Sequence, residues 1–229
     1  MDGFIDAHWA AMAEADPKHH VKLAIDEWGS WHRPGSEAVP EHTLGQVSTI
    51  RDALLAGLTL DIFQRHADKV AMANIAQLIN CLQSLFVAHE DRFVVTPNYH
   101  VFDMYRGHMG AQSLRTVVSA PQVNYTRNGQ PATIWGLAGS ASRRDKTITL
   151  TMVNPSPETA RTATVALAGA SVRSCAIRTL NAAALDAHNS FAQPEAVPSP
   201  ASVPVALTGG ELVLAIPTAS VVAATLQIA

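Results

Sequence analysis

The spacing of hydrophobic and polar residues changes near residue 115, and this change predicts two structural regions. Before it, apolar residues recur at steps of three and four over 43–66, which predicts a long amphipathic helix. Short apolar runs at 21–25 and 70–75 end in polar residues, and they predict buried strands. With helices predicted over 8–15 and 97–105, residues 1–115 follow the order α-β-α-β-α, which is typical of a parallel α/β layer.

Beyond residue 115, short β-type runs alternate with turn residues, which predicts an antiparallel β-sandwich over residues 116–229. Four strands are predicted, at 147–152, 162–167, 212–216 and 220–228. The strand at 147–152 alternates as a half-buried strand does. Turns are predicted at 154–157 and 209–210, and loops at 32–42 and 193–204.

The composition argues against a nucleic-acid-binding protein, a membrane-spanning protein and a disulfide-rich secreted protein. The 229 residues are 48% hydrophobic and carry a formal charge of −3, so they can build a core and offer no electrostatic footprint for nucleic acid or an anionic membrane. No run of about 18 apolar residues predicts a membrane span. Two cysteines are too few for a disulfide scaffold, and the amino terminus has no signal-peptide layout, so a cytoplasmic location is expected.

The sharpest candidate for chemistry is the pair Asp26-Glu27, directly after the first predicted strand. A carboxylate at the end of a parallel strand is held on a rigid element at a functional rim, and glycoside hydrolysis uses two such carboxylates. A structural acid paired with an arginine is the alternative. The neighbouring Trp28 and Trp31 suit either stacking on a sugar ring or packing.

Asn74 and Gln77 follow the second predicted strand, where they could bind substrate hydroxyls or cap a following helix. The ten histidines show no metal-site spacing such as HExxH, so no metal and no cofactor is expected. The sequence also contains no Gly-rich phosphate loop, GxSxG elbow or CxxC pair.

Several strings resemble the α-L-arabinofuranosidases of glycoside hydrolase family 51. The resemblance begins at Leu23-Ala24-Ile25-Asp26-Glu27-Trp28-Gly29-Ser30-Trp31 and extends over nearly the whole chain. The further strings, in order, are Arg51-Asp52-Ala53-Leu54, Val70 to Gln77 (VAMANIAQ), Thr96 to Phe102 (TPNYHVF), Ala187 to Phe191 (AHNSF) and Pro194 to Val197 (PEAV).

The resemblance implies the carboxyl-terminal part of a (β/α)₈ TIM barrel, with its seventh and eighth strands at 21–25 and 70–73, followed by a β-sandwich. It implies retaining hydrolysis of terminal, non-reducing α-L-arabinofuranosyl residues of polysaccharides or oligosaccharides. Glu27 matches the nucleophile, Trp31 an aromatic lining the sugar pocket, and Gln77 a side chain bonding arabinose hydroxyls. Asn74 and Trp28 are expected near the site. Intact family members are commonly homo-oligomers.

One family feature is missing. The family's acid/base is the Glu of an Asn-Glu pair on an earlier strand, and this chain contains no Asn-Glu pair. Since loss of a proton-transfer group typically costs about 10²–10⁴-fold in rate, we expect a truncated chain that lacks its acid/base. Two alternatives stay open: a non-catalytic module that binds carbohydrate or a partner, and a metal-dependent barrel hydrolase.

Overall fold

A computed structural model describes residues 1–33, 44–207 and 211–229. Its first half contains the three helices and two parallel strands that the hydrophobic spacing predicts, with an additional β-hairpin before the third helix. The elements are α1 (Asp2–Met12), β1 (Leu23–Ile25), α2 (Ile50–Arg65), β2 (Val70–Ala73), β3 (Phe86–His89), β4 (Arg92–Val95) and α3 (Pro97–Tyr105).

Strands β1 and β2 form a two-stranded parallel sheet, with Leu23 opposite Val70 and Ile25 opposite Ala73. These four side chains pack against the core under α2, whereas the paired residues Ala24 and Met72 are exposed on the other face. Parallel sheets are normally covered on both faces. The described part of the chain therefore covers this pair on one face only.

Helix α2 is shorter than the predicted 43–66 because a capping box fixes its start at Ile50. Asp52 accepts hydrogen bonds from the Thr49 backbone N–H and hydroxyl, both at 2.8 Å. Such a box satisfies amide donors that the first helical turn leaves free. The apolar residues Leu44 and Val47 thus precede the helix. Helix α1 also differs from the prediction of 8–15, since it begins at Asp2 and ends at Met12.

The second half is antiparallel. Its strands are β5 (Gln112–Leu114), β6 (Gln122–Arg127), β7 (Gln130–Trp135), β8 (Ala138–Arg144), β9 (Thr147–Asn154), β10 (Arg161–Val165), β11 (Val172–Leu180), β12 (Val203–Val205), β13 (Leu212–Ile216) and β14 (Ser220–Ile228). Six of them form one sheet in the order β12-β11-β14-β9-β8-β5. The β10–β13 pair packs against one face of this sheet, so the predicted sandwich is confirmed.

The six-stranded sheet is the middle layer of the molecule. In β14, Val222, Ala224 and Leu226 face the β10–β13 pair, while Val221 and Ala223 belong to the core beneath α2 and α3. Strand β9 is likewise buried on both sides, and not half-buried as its alternating pattern predicts. The reason is tertiary, since its polar face is covered by helix α2 and not by water.

A buried polar network joins α2 to this middle layer. Asp61 is fully buried and accepts hydrogen bonds from Ser140 Oγ at 2.7 Å and Thr151 Oγ1 at 2.6 Å. Burial raises the pKa of Asp61 to about 7 and lowers the pKa of His108 to about 4. A neutral His108 fits its contacts, because its Nδ1 can accept from Ser142 while its Nε2–H donates to Thr151.

Some of the other predicted helices and strands have the bounds seen in the structure, and other elements of the structure were not predicted. Strands β13 and β14 and helix α3 have the predicted bounds, and β10 lies one or two residues earlier. The β3–β4 hairpin and strands β5 to β8, β11 and β12 were not predicted. The 193–204 loop ends in β12, and the predicted turn at 209–210 and most of the 32–42 loop lie outside the described residues. The boundary at residue 115 stays a prediction. Within the described ranges, no helix is long and apolar enough to span a bilayer.

Candidate functional site

Glu27 lies two residues beyond the end of β1, at the carboxyl end of the parallel pair, and is exposed. Its neighbour Asp26 is also exposed, and its Oδ1 accepts a hydrogen bond from Asn74 Nδ2 at 3.3 Å. Because β1 and β2 run parallel, Asn74 and Gln77 leave the sheet at the same edge as Glu27. The fold thus brings Glu27, Asn74 and Gln77 to one rim.

No described helix follows Asn74 and Gln77, since the next element is the hairpin strand β3. The alternative that these residues cap a helix is therefore wrong. Asn74 instead extends the strand pairing through its backbone, whose N–H donates to the Ile25 carbonyl at 2.9 Å. Its side chain and that of Gln77 are exposed at the rim.

The two tryptophans after Glu27 have opposite surroundings. The Trp31 side chain is 64% exposed and presents an open aromatic face. Trp28 is only 6% exposed, and its ring lies against Phe63 and Phe102 with centroids 5.4 Å and 5.9 Å away. The sequence left two roles open for Trp28, stacking on a sugar ring or packing in the protein, and these contacts are those of packing.

The segment after Glu27 is anchored from two sides. On one side, the Gln83 side chain donates to the Trp28 carbonyl at 3.0 Å and lies directly over Gly29. Gly29 has φ +138°, and a Cβ there would lie 2.0 Å from Gln83 Nε2, so a side chain at this position would have to displace Gln83 and adopt a strained φ. The Gln83 carbonyl in turn accepts from the buried Asn98 at 2.7 Å.

On the other side, the buried carboxylate of Asp52 receives both Ser30 and His32. Ser30 Oγ lies 2.6 Å and His32 Nε2 2.9 Å from Asp52 Oδ1. Burial alone would raise the pKa of Asp52, but hydrogen bonds from Ser30, Thr49 and His32 outweigh burial and hold the pKa below its ordinary value. The carboxylate therefore stays ionised at neutral pH.

Sequence reasoning missed this anchor. The string Arg51-Asp52-Ala53-Leu54 contributes to the family resemblance, but it carries no sign that Asp52 reaches a segment 20 residues away. The spacing Thr49-x-x-Asp52 could have indicated the capping box and thus the helix start. Only the fold shows that Asp52 Oδ1 faces away from that box, toward the segment after β1.

The described residues include no group of three His, Cys, Asp or Glu side chains arranged to hold a metal ion. Two histidines, His100 and His108, are buried, and burial lowers the pKa of both. Both cysteines, Cys81 and Cys175, are free.

The solved structures that this chain resembles include two arabinofuranosidases. The crystal structure of the GH51 arabinofuranosidase from Xanthomonas axonopodis pv. citri is 34% identical, with a TM-score of 0.89 over 99% of this chain and 45% of that one. An arabinose complex of the α-L-arabinofuranosidase from Thermotoga maritima shares the fold at 22% identity and a TM-score of 0.78. The fold is thus that of the carboxyl-terminal portion of family 51 arabinofuranosidases.

The chain belongs to the α-L-arabinofuranosidase C-terminal domain family, whose model matches residues 26–220. It is 30% identical to an intracellular exo-α-L-arabinofuranosidase of Bacteroides ovatus, over 99% of this chain and 44% of that protein. The chain therefore spans less than half the length of these relatives. The predicted family and fold class are confirmed, while the roles of Glu27, Trp31, Gln77, Asn74 and Trp28 stay predictions.

Proposed function

We propose that this chain carries the nucleophile half of a retaining α-L-arabinofuranosidase that removes terminal, non-reducing arabinofuranosyl residues. The observation that carries the proposal is the exposed Glu27 carboxylate at the carboxyl end of a parallel strand, four residues before the exposed Trp31. Its relatives are named as intracellular exo-acting arabinofuranosidases, which supports this activity and a cytoplasmic location.

In the proposed reaction, a Glu27 carboxylate oxygen attacks the anomeric carbon and the bond to the leaving oxygen breaks. A second carboxylic acid gives its proton to that leaving oxygen. Water, deprotonated by the same group, then cleaves the ester to Glu27 and releases arabinose with its configuration retained. Gln77 and Asn74 stand at the same rim, where their amides can bond sugar hydroxyls.

The second carboxylate must lie about 5–5.5 Å from Glu27. We propose that polypeptide outside these 229 residues supplies it. Among the described residues, one face of β1 and β2 is bare and their outer edges are unpaired, which supports this, because unpaired edges accept further strands. The missing strands would also cover Met72 and complete the walls of the sugar site, and family members commonly assemble further into homo-oligomers.

The test is hydrolysis of p-nitrophenyl α-L-arabinofuranoside by this chain alone and co-expressed with the remaining part of the Xanthomonas relative. We expect activity only in the combined form, and a loss of about 10³-fold or more for Glu27→Gln. Glu158→Gln, on the exposed surface of the sandwich half, is the matched control and should leave the rate unchanged.

A covalent role for Glu27 has its own signature. In the combined form, Glu27→Gly with added azide should yield the arabinofuranosyl azide of inverted configuration, because azide replaces the nucleophile in a single displacement. A combined form that binds arabino-oligosaccharides but never hydrolyses the substrate would reject the enzyme and favour the carbohydrate-binding module.

A further inference from the structure

The two neighbours of Trp31 in the chain bind one and the same carboxylate oxygen. Ser30 Oγ and His32 Nε2 both lie within 2.9 Å of Asp52 Oδ1, and the residue between them is 64% exposed. Where the backbone is extended, successive side chains point to opposite sides, and the contact that residues 30 and 32 share with one oxygen places both on the same side. Tying residues 30 and 32 inward therefore directs the Trp31 indole outward.

Asp52 is a rigid anchor for this arrangement. It is 3% exposed and stands in the first turn of α2, a helix packed into the core. Its other oxygen, Oδ2, is occupied by the Thr49 N–H and hydroxyl. One carboxylate thus receives four donors, two from the helix start and two from the segment that carries Trp31.

Gln46 strengthens the same anchor at the backbone. Its Oε1 accepts from the His32 N–H at 3.1 Å, and its Nε2 donates to the His32 carbonyl at 3.3 Å. Because His32 Nε2 must donate to the Asp52 carboxylate, the Arg51 guanidinium 2.9 Å from that nitrogen acts as a neighbouring positive charge, not as a second donor. Gln46 thereby holds the His32 backbone independently of the His32 side chain.

We propose that Asp52 is a positioning residue that sets the orientation of Trp31 for sugar recognition. The sugar contact of Trp31 rests on the proposed function, but the orientation of its indole does not. The substitution Asp52→Asn tests the anchor directly. An amide has a single acceptor oxygen and one NH₂ donor, so it cannot satisfy donors on both sides.

The experiment uses the 229-residue chain labelled with 5-fluorotryptophan. Fluorine NMR should show four resonances, one for each tryptophan, which Trp→Phe substitutions assign. In Asp52→Asn and in Ser30→Ala, we expect the Trp31 resonance to move by more than its linewidth toward its position in unfolded chain. The resonances of Trp9 and Trp135 should stay in place and report an intact fold.

Thr49→Val is the matched control, because it removes a hydrogen bond to the opposite oxygen of Asp52 and spares Ser30 and His32. It should leave the Trp31 resonance unchanged. Ser30→Ala decides the test if Asp52→Asn does not fold. An unmoved Trp31 resonance in Ser30→Ala, or an equal shift in Thr49→Val, would overturn the proposal.

A kinetic arm uses the combined enzyme described above. Asp52→Asn should raise KM for the aryl arabinofuranoside by about tenfold, as expected for the loss of one oriented aromatic contact. It should add little to Trp31→Ala, because both changes remove the same contact. An inactive wild-type combination would reject the proposed function while the NMR result still decides the positioning role. If the effects of Asp52→Asn and Trp31→Ala on KM are fully additive, the positioning role of Asp52 is overturned and the proposed function is not.

Discussion

The two main sheets of this protein differ in what covers them. The six-stranded sheet has α2 and α3 on one face and the β10–β13 pair on the other, and residues such as Val222 and Leu226 are fully buried. The β1–β2 pair has α2 on one face and nothing described on the other, where Met72 is 50% exposed. The six-stranded sheet is packed on both faces. The β1–β2 pair, which precedes Glu27 and Asn74, is stabilised by packing against the core under α2 on one face.

Because the β1–β2 pair is covered on one face, the rigidity of the candidate site must come from contacts outside this sheet. Two strands of three and four residues are too short to hold the rim at Glu27 by pairing alone. The segment after β1 is fixed instead by Asp52, in the first turn of α2, and by Gln83, in the turn before β3. Changes to each region should therefore have effects of predictable and different size.

The largest difference should appear when one large apolar residue is removed from each sheet. Leu226→Ala should lower the free energy of unfolding by about 2–5 kcal/mol, because it leaves a cavity in a sealed core. Met72→Ala, a matched change on the open face, should stay within about 0.5 kcal/mol. Urea unfolding of both variants measures this, and equal losses would mean that the β1–β2 face is covered in solution.

The stability contributed by the contact between α2 and the six-stranded sheet should depend on pH. Between pH 3.8 and about 7, folded Asp61 holds a proton that unfolded Asp61 releases, so its contribution to stability falls as pH rises across that window. Asp61→Asn removes this dependence. Relative to wild type, the variant should gain about 2–3 kcal/mol between pH 5 and pH 8.

His108 acts with the opposite sign. Because its folded pKa is about 4 against 6.5 unfolded, the stability it contributes is present above pH 6.5 and is lost as pH falls. Wild type and Asp61→Asn share His108, so subtracting their urea-unfolding energies at each pH removes its effect. A difference that does not vary between pH 5 and pH 8 would show that Asp61 titrates at its ordinary pKa.

A smaller effect is expected at the turn after Glu27. Gly29→Ala should cost about 1–3 kcal/mol, because the new methyl group meets the Gln83 side chain at a φ that disfavours side chains. Gly129→Ala in the β6–β7 hairpin also has positive φ, but its Cβ would meet nothing within 4 Å. The difference between the two variants in thermal unfolding isolates the clash with Gln83, and equal losses would argue that Gln83 moves aside freely.

The smallest effect on stability belongs to Trp31. Since its side chain is mostly in water, Trp31→Ala should change the free energy of unfolding by less than about 0.5 kcal/mol. Urea unfolding checks this, with Trp28→Ala as the contrast, because that indole is packed between two phenylalanines and should cost about 3–5 kcal/mol. A large loss in Trp31→Ala would mean that the indole packs against the chain.

The amino-acid sequence by itself determined the elements whose pattern is long or sharply bounded. Strands β13 and β14, helix α3 and the sandwich follow from local alternation, apolar runs and turn residues, and Glu27 follows from the family string at the end of β1. The short, polar strands β5 to β8 were not predicted, because they lack the pattern of apolar residues that marks a strand.

Only the tertiary structure decided how these elements support the site. Thr151 is buried because helix α2 lies over its strand, Trp28 is core because Phe63 and Phe102 close around it, and Trp31 is open because Asp52 holds its neighbours. Each of these contacts joins residues far apart in the chain. Local periodicity reports which face of an element is apolar, but it contains no information about which distant side chain will meet that face.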